Sequence, residues 1–230
     1  MSLILQIETS TTSCSVALAQ SGKVLSVRTI DQRNIHAEVI TVFIDEIMAG
    51  QGLSFQELDA VAVSSGPGSY TGLRIGVSTA KGLCFSLDKP FVAVATLLAM
   101  AAGYLSRFQN FTESDFLLCP MIDARRMEVY TALFDQDLKQ VQPTSAAIID
   151  AESFKEVLVQ HKIIFFGDGA AKCKVVLGDQ PNAVFIDGFL NDAADLTQLA
   201  AEKFKLQAFE DVAYFEPFYL KDFIAGKINS

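Results

Sequence analysis

The sequence predicts an α/β protein built as two related halves, each opening with a β-meander, and three observations predict it. Apolar residues alternate at strand period from residue 3, and a second strand cluster opens at residue 116. Helical spacing follows each strand cluster, and Gly-, Pro- and Ser-rich turns separate the elements. With 230 residues, half of them hydrophobic, the chain can fill one or two cores of ordinary domain size.

Leu3, Leu5 and Ile7 alternate at strand spacing. A Thr/Ser turn over 9–13 leads to a second strand near 14–19, and Ser21-Gly22 turns the chain into a third over 23–30. Asn34 is placed to cap a helix reaching about Met48, closed by Gly50 and Gly52. A strand over 58–64, a Gly/Pro loop over 65–71 and a helix over 72–87 follow. A strand at 90–94 and a helix from Thr96 complete the first half. The polar and aromatic stretch around 105–115 reads as a seam. Beyond it come a hairpin of 116–122 with 127–134, a short strand near 139–142, a helix over 152–160 and a strand over 162–166. A Gly-Asp-Gly turn and a helix over 192–208, with Leu196, Leu199, Ala200 and Phe204 on one face, end the second half. That half reads as a shortened copy of the plan.

Composition removes several classes. The charged fraction is 20 %, too apolar a balance for disorder over most of the chain. No apolar run nears the roughly 18 residues of a membrane span. The segment from Met1 to Glu8 has no basic stretch and meets a carboxylate at once, so no signal peptide is expected there. Cys14, Cys84, Cys119 and Cys173 lie far apart without a CxxC, which fits a reduced, cytoplasmic setting better than a disulfide framework or a zinc site. The net charge of −9 is uneven: residues 1–110 hold 8 acids and 7 bases, residues 111–230 hold 19 acids and 11 bases. Such a surface repels a phosphate backbone, so nucleic acid is not expected to bind this chain alone.

Candidate chemistry is concentrated in a few places. The loop Ser64-Ser65-Gly66-Pro67-Gly68-Ser69-Tyr70-Thr71-Gly72 lies between a predicted strand and a predicted helix, where free N–H groups favour an anion. It lacks the Gly-Lys-Ser/Thr of a P-loop and the spacing of a nucleophile elbow, and a tight connection that merely aims the helix is the plainer reading. Glu8 ends the first strand, and Asp123 stands at the equivalent turn of the second half. Acids at two such turns could hold a Mg²⁺ with its waters, or each could simply end its strand. His36 and His161 are the only histidines, without HxxxH or HExxH, so no metal site and no catalytic residue is expected. The helices over 34–48 and 72–87 are apolar on too many sides for one core stripe. Either both faces are covered within this chain's own core or they form a protein–protein interface, the favoured reading, with His36, Val39, Ile40, Phe43 and Ile47 on the first helix. On the second it takes Leu73, Ile75 and Leu83, with Gly72, Gly76 and Thr79 allowing close helix approach.

Three segments carry a family resemblance. Ile7-Glu8-Thr9-Ser10, the run from Ser65 to Gly76, and Pro120-Met121-Ile122-Asp123-Ala124-Arg125-Arg126-Met127-Glu128-Val129-Tyr130 together resemble the TsaB family, formerly YeaZ. The closing Pro217-Phe218-Tyr219-Leu220-Lys221 is similar to that family's Pro-x-Tyr-Leu-Arg, with Lys for Arg. The resemblance implies the actin-like, sugar-kinase-like ATPase fold, with two domains, 1–108 and 109–230, around a cleft. It implies a subunit of the machinery that makes threonylcarbamoyladenosine in tRNA, paired with the catalytic TsaD, served by TsaE, meeting tRNA only through the complex, and homodimeric when alone. It also implies a non-catalytic chain. Active members of the fold carry Gly in both hairpin turns, whereas these read Glu8-Thr9-Ser10-Thr11 and Asp123-Ala124-Arg125-Arg126. Side chains there crowd a phosphate, and Arg125 could take its place. Glu8, Thr9, Ser10, Gly66, Gly68, Ser69, Asp123 and Arg125 would then form a vestigial nucleotide site, completed by Gly167, Asp168 and Gly169 at the fold's adenosine-contacting turn. No cofactor is required on this reading, though weak binding of ATP or ADP with Mg²⁺ is left open. The alternative is a working ATP-dependent kinase or ATPase acting through the cleft.

Overall fold

Strand-period alternation in the first thirty residues produces a three-stranded meander, β1 (Leu3–Glu8), β2 (Ser13–Gln20) and β3 (Lys23–Asp31). The computed structural model, which describes residues 2–108 and 115–221, continues it with α1 (His36–Gly50), β4 (Ala60–Ser64), α2 (Tyr70–Leu87), β5 (Phe91–Val94) and α3 (Thr96–Arg107). The second half repeats the plan with β6 (Phe116–Asp123), β7 (Glu128–Phe134), β8 (Gln140–Ile148), α4 (Lys155–Gln160), β9 (Lys162–Phe166), α5 (Ala170–Leu177) and β10 (Ala183–Phe185). A 3-10 turn, Ala193–Leu196, and α6 (Thr197–Lys205) follow.

The two sheets have the same topology. Their strand orders are β3-β2-β1-β4-β5 and β8-β7-β6-β9-β10, with the meander antiparallel and the last two strands parallel to β1 or β6. Both faces of the central strands are buried, as parallel pairing with helices on each side requires. Leu3, Leu5 and Ile7 meet α1 and α2 in one core, while Ile4 on the opposite face meets Leu196 and Ala200. In the second sheet Leu117, Cys119 and Met121 face α4 and α5. Phe116, Leu118 and Ile122 face Leu97, Met100 and Tyr104 of α3.

The last helix of each half therefore serves the other. α3 follows the first sheet but packs mainly on the second, with Ala99 turned back to the first, and α6 follows the second sheet but packs on the first. Residues 192–205, which a division at 108/109 gives to the second half, are in this way part of the first core. Most of the seam expected around 105–115 lies outside the described residues.

Several elements differ from the sequence expectation for local reasons. Asn34 does not cap α1; it sits at φ +61, and the cap position is Ile35, without a side-chain bond. α2 starts two residues early because the Ser69 hydroxyl accepts from the Gly72 N–H at 3.3 Å. β8 runs on to Ile148 through Pro143, which an edge strand tolerates. The helix expected over 152–160 shrinks to six residues because Phe154 takes a left-handed backbone, φ +62. The helix expected over 192–208 divides into the 3-10 turn and α6 and stops before Gln207, at φ +54.

Candidate functional site

The two hairpin turns and the Gly-rich loop meet around a cleft of about 790 Å³ between the halves. Its walls come from Ser10–Thr12, the start of α1 from Arg33 to Ala37, the start of α2, the β6–β7 turn with Arg125, Tyr130, Asp168, and the tail from Tyr219 to Lys221.

The β1–β2 turn is packed shut. Glu8 is 1 % exposed, and its Oε1 accepts from the Ser10 N–H at 2.6 Å and the Ser64 hydroxyl at 2.9 Å. Burial raises its pKa, against the pull of those hydrogen bonds. Thr9 and Ser10 are fully buried. The Ser10 carbonyl accepts from the Ser69 N–H at 2.7 Å, and its hydroxyl accepts from the Asn191 side chain at 3.2 Å. His36 closes the far end, its Nε2 at 3.0 Å from the Thr11 carbonyl.

The Gly-rich loop is not an open anion cradle. The Ser65 N–H donates to the Val94 carbonyl, the Gly66 N–H to the Thr96 hydroxyl, the Ser69 N–H to Ser10 and the Gly72 N–H to Ser69. Its glycines admit other parts of the same chain. A Cβ on Gly66 would overlap the Phe218 carbonyl, one on Gly68 the Ser10 carbonyl, and one on Gly72 the Thr9 carbonyl. The close approach these three glycines permit is thus taken up by the protein's own backbone. Gly76, expected to admit a partner helix, likewise makes room for the Thr9 side chain. This corrects the sequence reading of Gly72 and Gly76: the close approach they permit is internal.

The β6–β7 turn is open. Asp123 is exposed; its Oδ1 accepts from the Arg125 N–H at 2.7 Å and from Lys172 at 2.6 Å, and its own N–H donates to Asp168 at 3.0 Å. Partial burial would raise the Asp123 pKa, but the Lys172 ammonium and the Arg125 N–H outweigh it and hold it low. The Mg²⁺ pair suggested by Glu8 and Asp123 is not formed, since Glu8 is sealed under Ser10 and Ser64 while Asp123 engages Lys172. Gly167 and Gly169 let their turn press on the end of β6, where Cβ atoms would meet the Met121 and Ile122 backbone. Among the described residues no three His, Cys, Asp or Glu side chains gather as a metal site. Burial pushes the Cys14 and Cys119 thiols up to about 12 and those of Cys84 and Cys173 to about 11, so all four are neutral at physiological pH.

Residues 23–226 match the family model described as TsaD, tRNA N6-adenosine threonylcarbamoyltransferase. The chain is 32 % identical over 230 residues to the tRNA threonylcarbamoyladenosine biosynthesis protein TsaB of Escherichia coli, covering 97 % of this chain and 96 % of that one. The chain belongs to the TsaB family. The structure of YeaZ from Pseudomonas aeruginosa agrees, with a TM-score of 0.81 and 25 % identity over 96 % of this chain and 100 % of that chain. The actin-like, sugar-kinase-like architecture is shared more distantly with an inorganic polyphosphate/ATP-glucomannokinase from Arthrobacter. That match has a TM-score of 0.52 and 13 % identity over 90 % of this chain and 100 % of the kinase.

In this TsaB-family chain the expected interface residues divide into two groups. His36, Ile40, Ile47, Gly72, Leu73 and Gly76 are buried within the chain itself. Val39, Phe43, Ile75, Thr79 and Leu83 are only half-buried. Beside them on the same helices Val42 is exposed, and Phe85 is 84 % exposed. The sequence reading missed Lys172, Asn191 and the Arg107–Asp195 pair. Arg107 donates to both Asp195 carboxylate oxygens at 2.7 and 2.8 Å and lies over the Phe189 ring at 4.2 Å. These contacts join α3 to the 189–196 segment, and only their sequence separation hid them. No helix of the described residues is long and apolar enough to cross a membrane.

Proposed function

We propose that this chain serves the biosynthesis of threonylcarbamoyladenosine in tRNA as a non-catalytic partner of the threonylcarbamoyltransferase TsaD. The observation that carries this reading is the self-filled loop: Thr9, Ser10 and Phe218 stand against Gly72, Gly68 and Gly66, so the close approach those glycines permit serves the chain's own packing. Family membership supports the pathway, through the biosynthetic role for which the E. coli relative is named. The partner surface on this reading is the half-buried strip of Val39, Phe43, Ile75, Thr79 and Leu83, flanked by Val42 and Phe85. Apolar side chains left beside a filled core are the kind that a second protein covers. TsaD takes this surface in the complex, a second copy of the chain takes it when TsaD is absent, and TsaE joins the assembled pair. Contact with tRNA passes through the complex, consistent with the net charge of −9.

Size-exclusion chromatography of the chain mixed with TsaD of the same cell tests the pairing. Phe43→Asp and Leu83→Asp should abolish the joint peak, whereas Val175→Asp, exposed on α5, should leave it intact. Gly76→Arg is unsuitable as a probe, because its side chain would strike Thr9 inside the first core. Retention of the complex by both Asp variants would remove the partner surface. Calorimetry with ATP and Mg²⁺ tests the rival kinase reading: micromolar binding with turnover lost in Asp123→Ala would replace the non-catalytic role.

A further inference from the structure

Of the closing motif Pro217-Phe218-Tyr219-Leu220-Lys221 only Phe218 enters the function above, yet the contacts of the whole tail follow a consistent path. The tail leaves α6, pairs the Glu210 N–H with the Phe91 carbonyl at 2.9 Å, and sets Phe215 edge-on to Phe91 at 5.0 Å. Lys81 of α2 holds the carbonyls of Ala213 and Phe215 at 3.2 and 3.1 Å. The Phe218 N–H donates to the Ser65 carbonyl at 2.7 Å, and Gly66 leaves room for the Phe218 carbonyl. All of these anchors belong to the first half. Tyr219 is the last of them, resting on Tyr70, the first residue of α2, with ring centroids 4.7 Å apart. Only then does the tail reach across, where Lys221 pairs with Glu128 at the start of β7. Tyr219, Leu220 and Lys221 line the cleft.

The chain passes between the halves twice before this point, from β5 into α3 and from β10 into the Ala193–Leu196 turn. Two connections permit the hinge motion that two-part folds with a central cleft use. The tail is a third connection: an aromatic contact fixes Tyr219 to the first half, and one partly exposed ion pair, individually weak, crosses to the second. We propose that residues 219–221 are a latch on the cleft. Tyr219 on Tyr70 positions the tail, and while Lys221 holds Glu128 the second half is kept against the first. When that pair releases, the halves swing apart, and residues 210–219 stay on the first half.

The distance between Glu38 on α1 and Arg126 in the β6–β7 turn, both exposed, reads the opening. Spin labels on Glu38→Cys and Arg126→Cys report it by double electron–electron resonance, since the four native thiols are buried. The full-length chain is used alone, diluted with unlabelled protein, so failure of the TsaD reading leaves the result untouched. The parent should give one short-distance population. Lys221→Glu should raise the long-distance population roughly fivefold, the factor that loss of about one surface ion pair produces. Tyr219→Ala should act in the same direction. Combining Lys221→Glu with Glu128→Lys should restore the parent distribution. Overlay of both single variants on the parent, with native circular dichroism, would overturn the latch. So would failure of the charge swap to restore the short distance.

Discussion

The turn after β1 and the turn after β6 occupy equivalent places in two sheets of the same topology, yet they have opposite fates. The first, from Glu8 to Thr11, is buried throughout and bonded to the loop before α2, to Asn191 and to His36. The second, from Asp123 to Arg126, is mostly exposed; Arg125 and Arg126 sit at φ +74 and +49, and Asp123 is tied to Lys172. The difference lies in what stands opposite. α2 brings Gly72 and Gly76 close enough for Thr9 to fill the space, while α5 brings Lys172, whose ammonium must stay near water. One turn has become a packing element, and the other has kept a solvent-facing set of charges. Of the two turns, only the second presents charged side chains to the cleft.

Breaking the packed turn should cost most. Gly72→Ala places a methyl on the Thr9 carbonyl, which cannot move without displacing β1. We expect a loss of about 2–3 kcal/mol in urea unfolding. Gly76→Ala strikes only the Thr9 side chain, so Thr9→Ala in the same chain should recover most of its loss. A double-mutant cycle would read that coupling at about 1 kcal/mol or more. Independent effects of the two changes would show that the turn is not keyed to α2. Asn191→Ala removes the bond to the Ser10 hydroxyl and should cost about 1 kcal/mol.

Glu8 gives the comparison a pH signature. Its folded pKa is raised by burial, so the folded chain keeps a proton there that the unfolded chain has lost. Its stabilisation is full below the ordinary glutamate value of 4.5 and fades as pH rises through the folded value. Glu8→Gln should flatten that decline, with the larger gain over the parent at pH 8 than at pH 4 in parallel denaturation curves. A parent whose curve matches Glu8→Gln at every pH would mean the carboxyl is not desolvated as the packing implies. At the open turn the effects should be smallest. Lys172→Ala should let the Asp123 pKa rise, visible by NMR titration, at a stability cost under about 1 kcal/mol. Arg125→Gly, which suits its positive φ, should change stability by less than about 1 kcal/mol.

Where a residue's neighbours are close in sequence, the reading from sequence succeeded. The meander, the strands β4, β5 and β9, and the two long helices follow from alternation and helical spacing. α5 and β10 escaped notice because α5 has eight residues, starting at Gly169 without a side-chain cap, and β10 has three. The site was harder. Gly66, Gly68, Gly72 and Gly76 announced a close approach, but a glycine does not say what approaches. Here it was Phe218, Ser10 and Thr9, partners up to 152 residues away that only the fold brings together. The apolar excess of α1 and α2 was legible, while its division between the first core and the half-buried strip depended on which side β1 occupies.

The exchanged helices have a consequence for biogenesis. During synthesis the first sheet leaves the ribosome with Ile4, Ala60, Ala62, Val92 and Val94 on a face that meets Ala99 of α3 early but whose remaining cover, Leu196 and Ala200, is about a hundred residues behind. That sheet cannot mature as an independent bead on the growing chain. The nascent half must wait, or be shielded, until nearly the whole polypeptide has been made. The halves are then expected to reach the native state in one cooperative event and to be inseparable as expressed fragments.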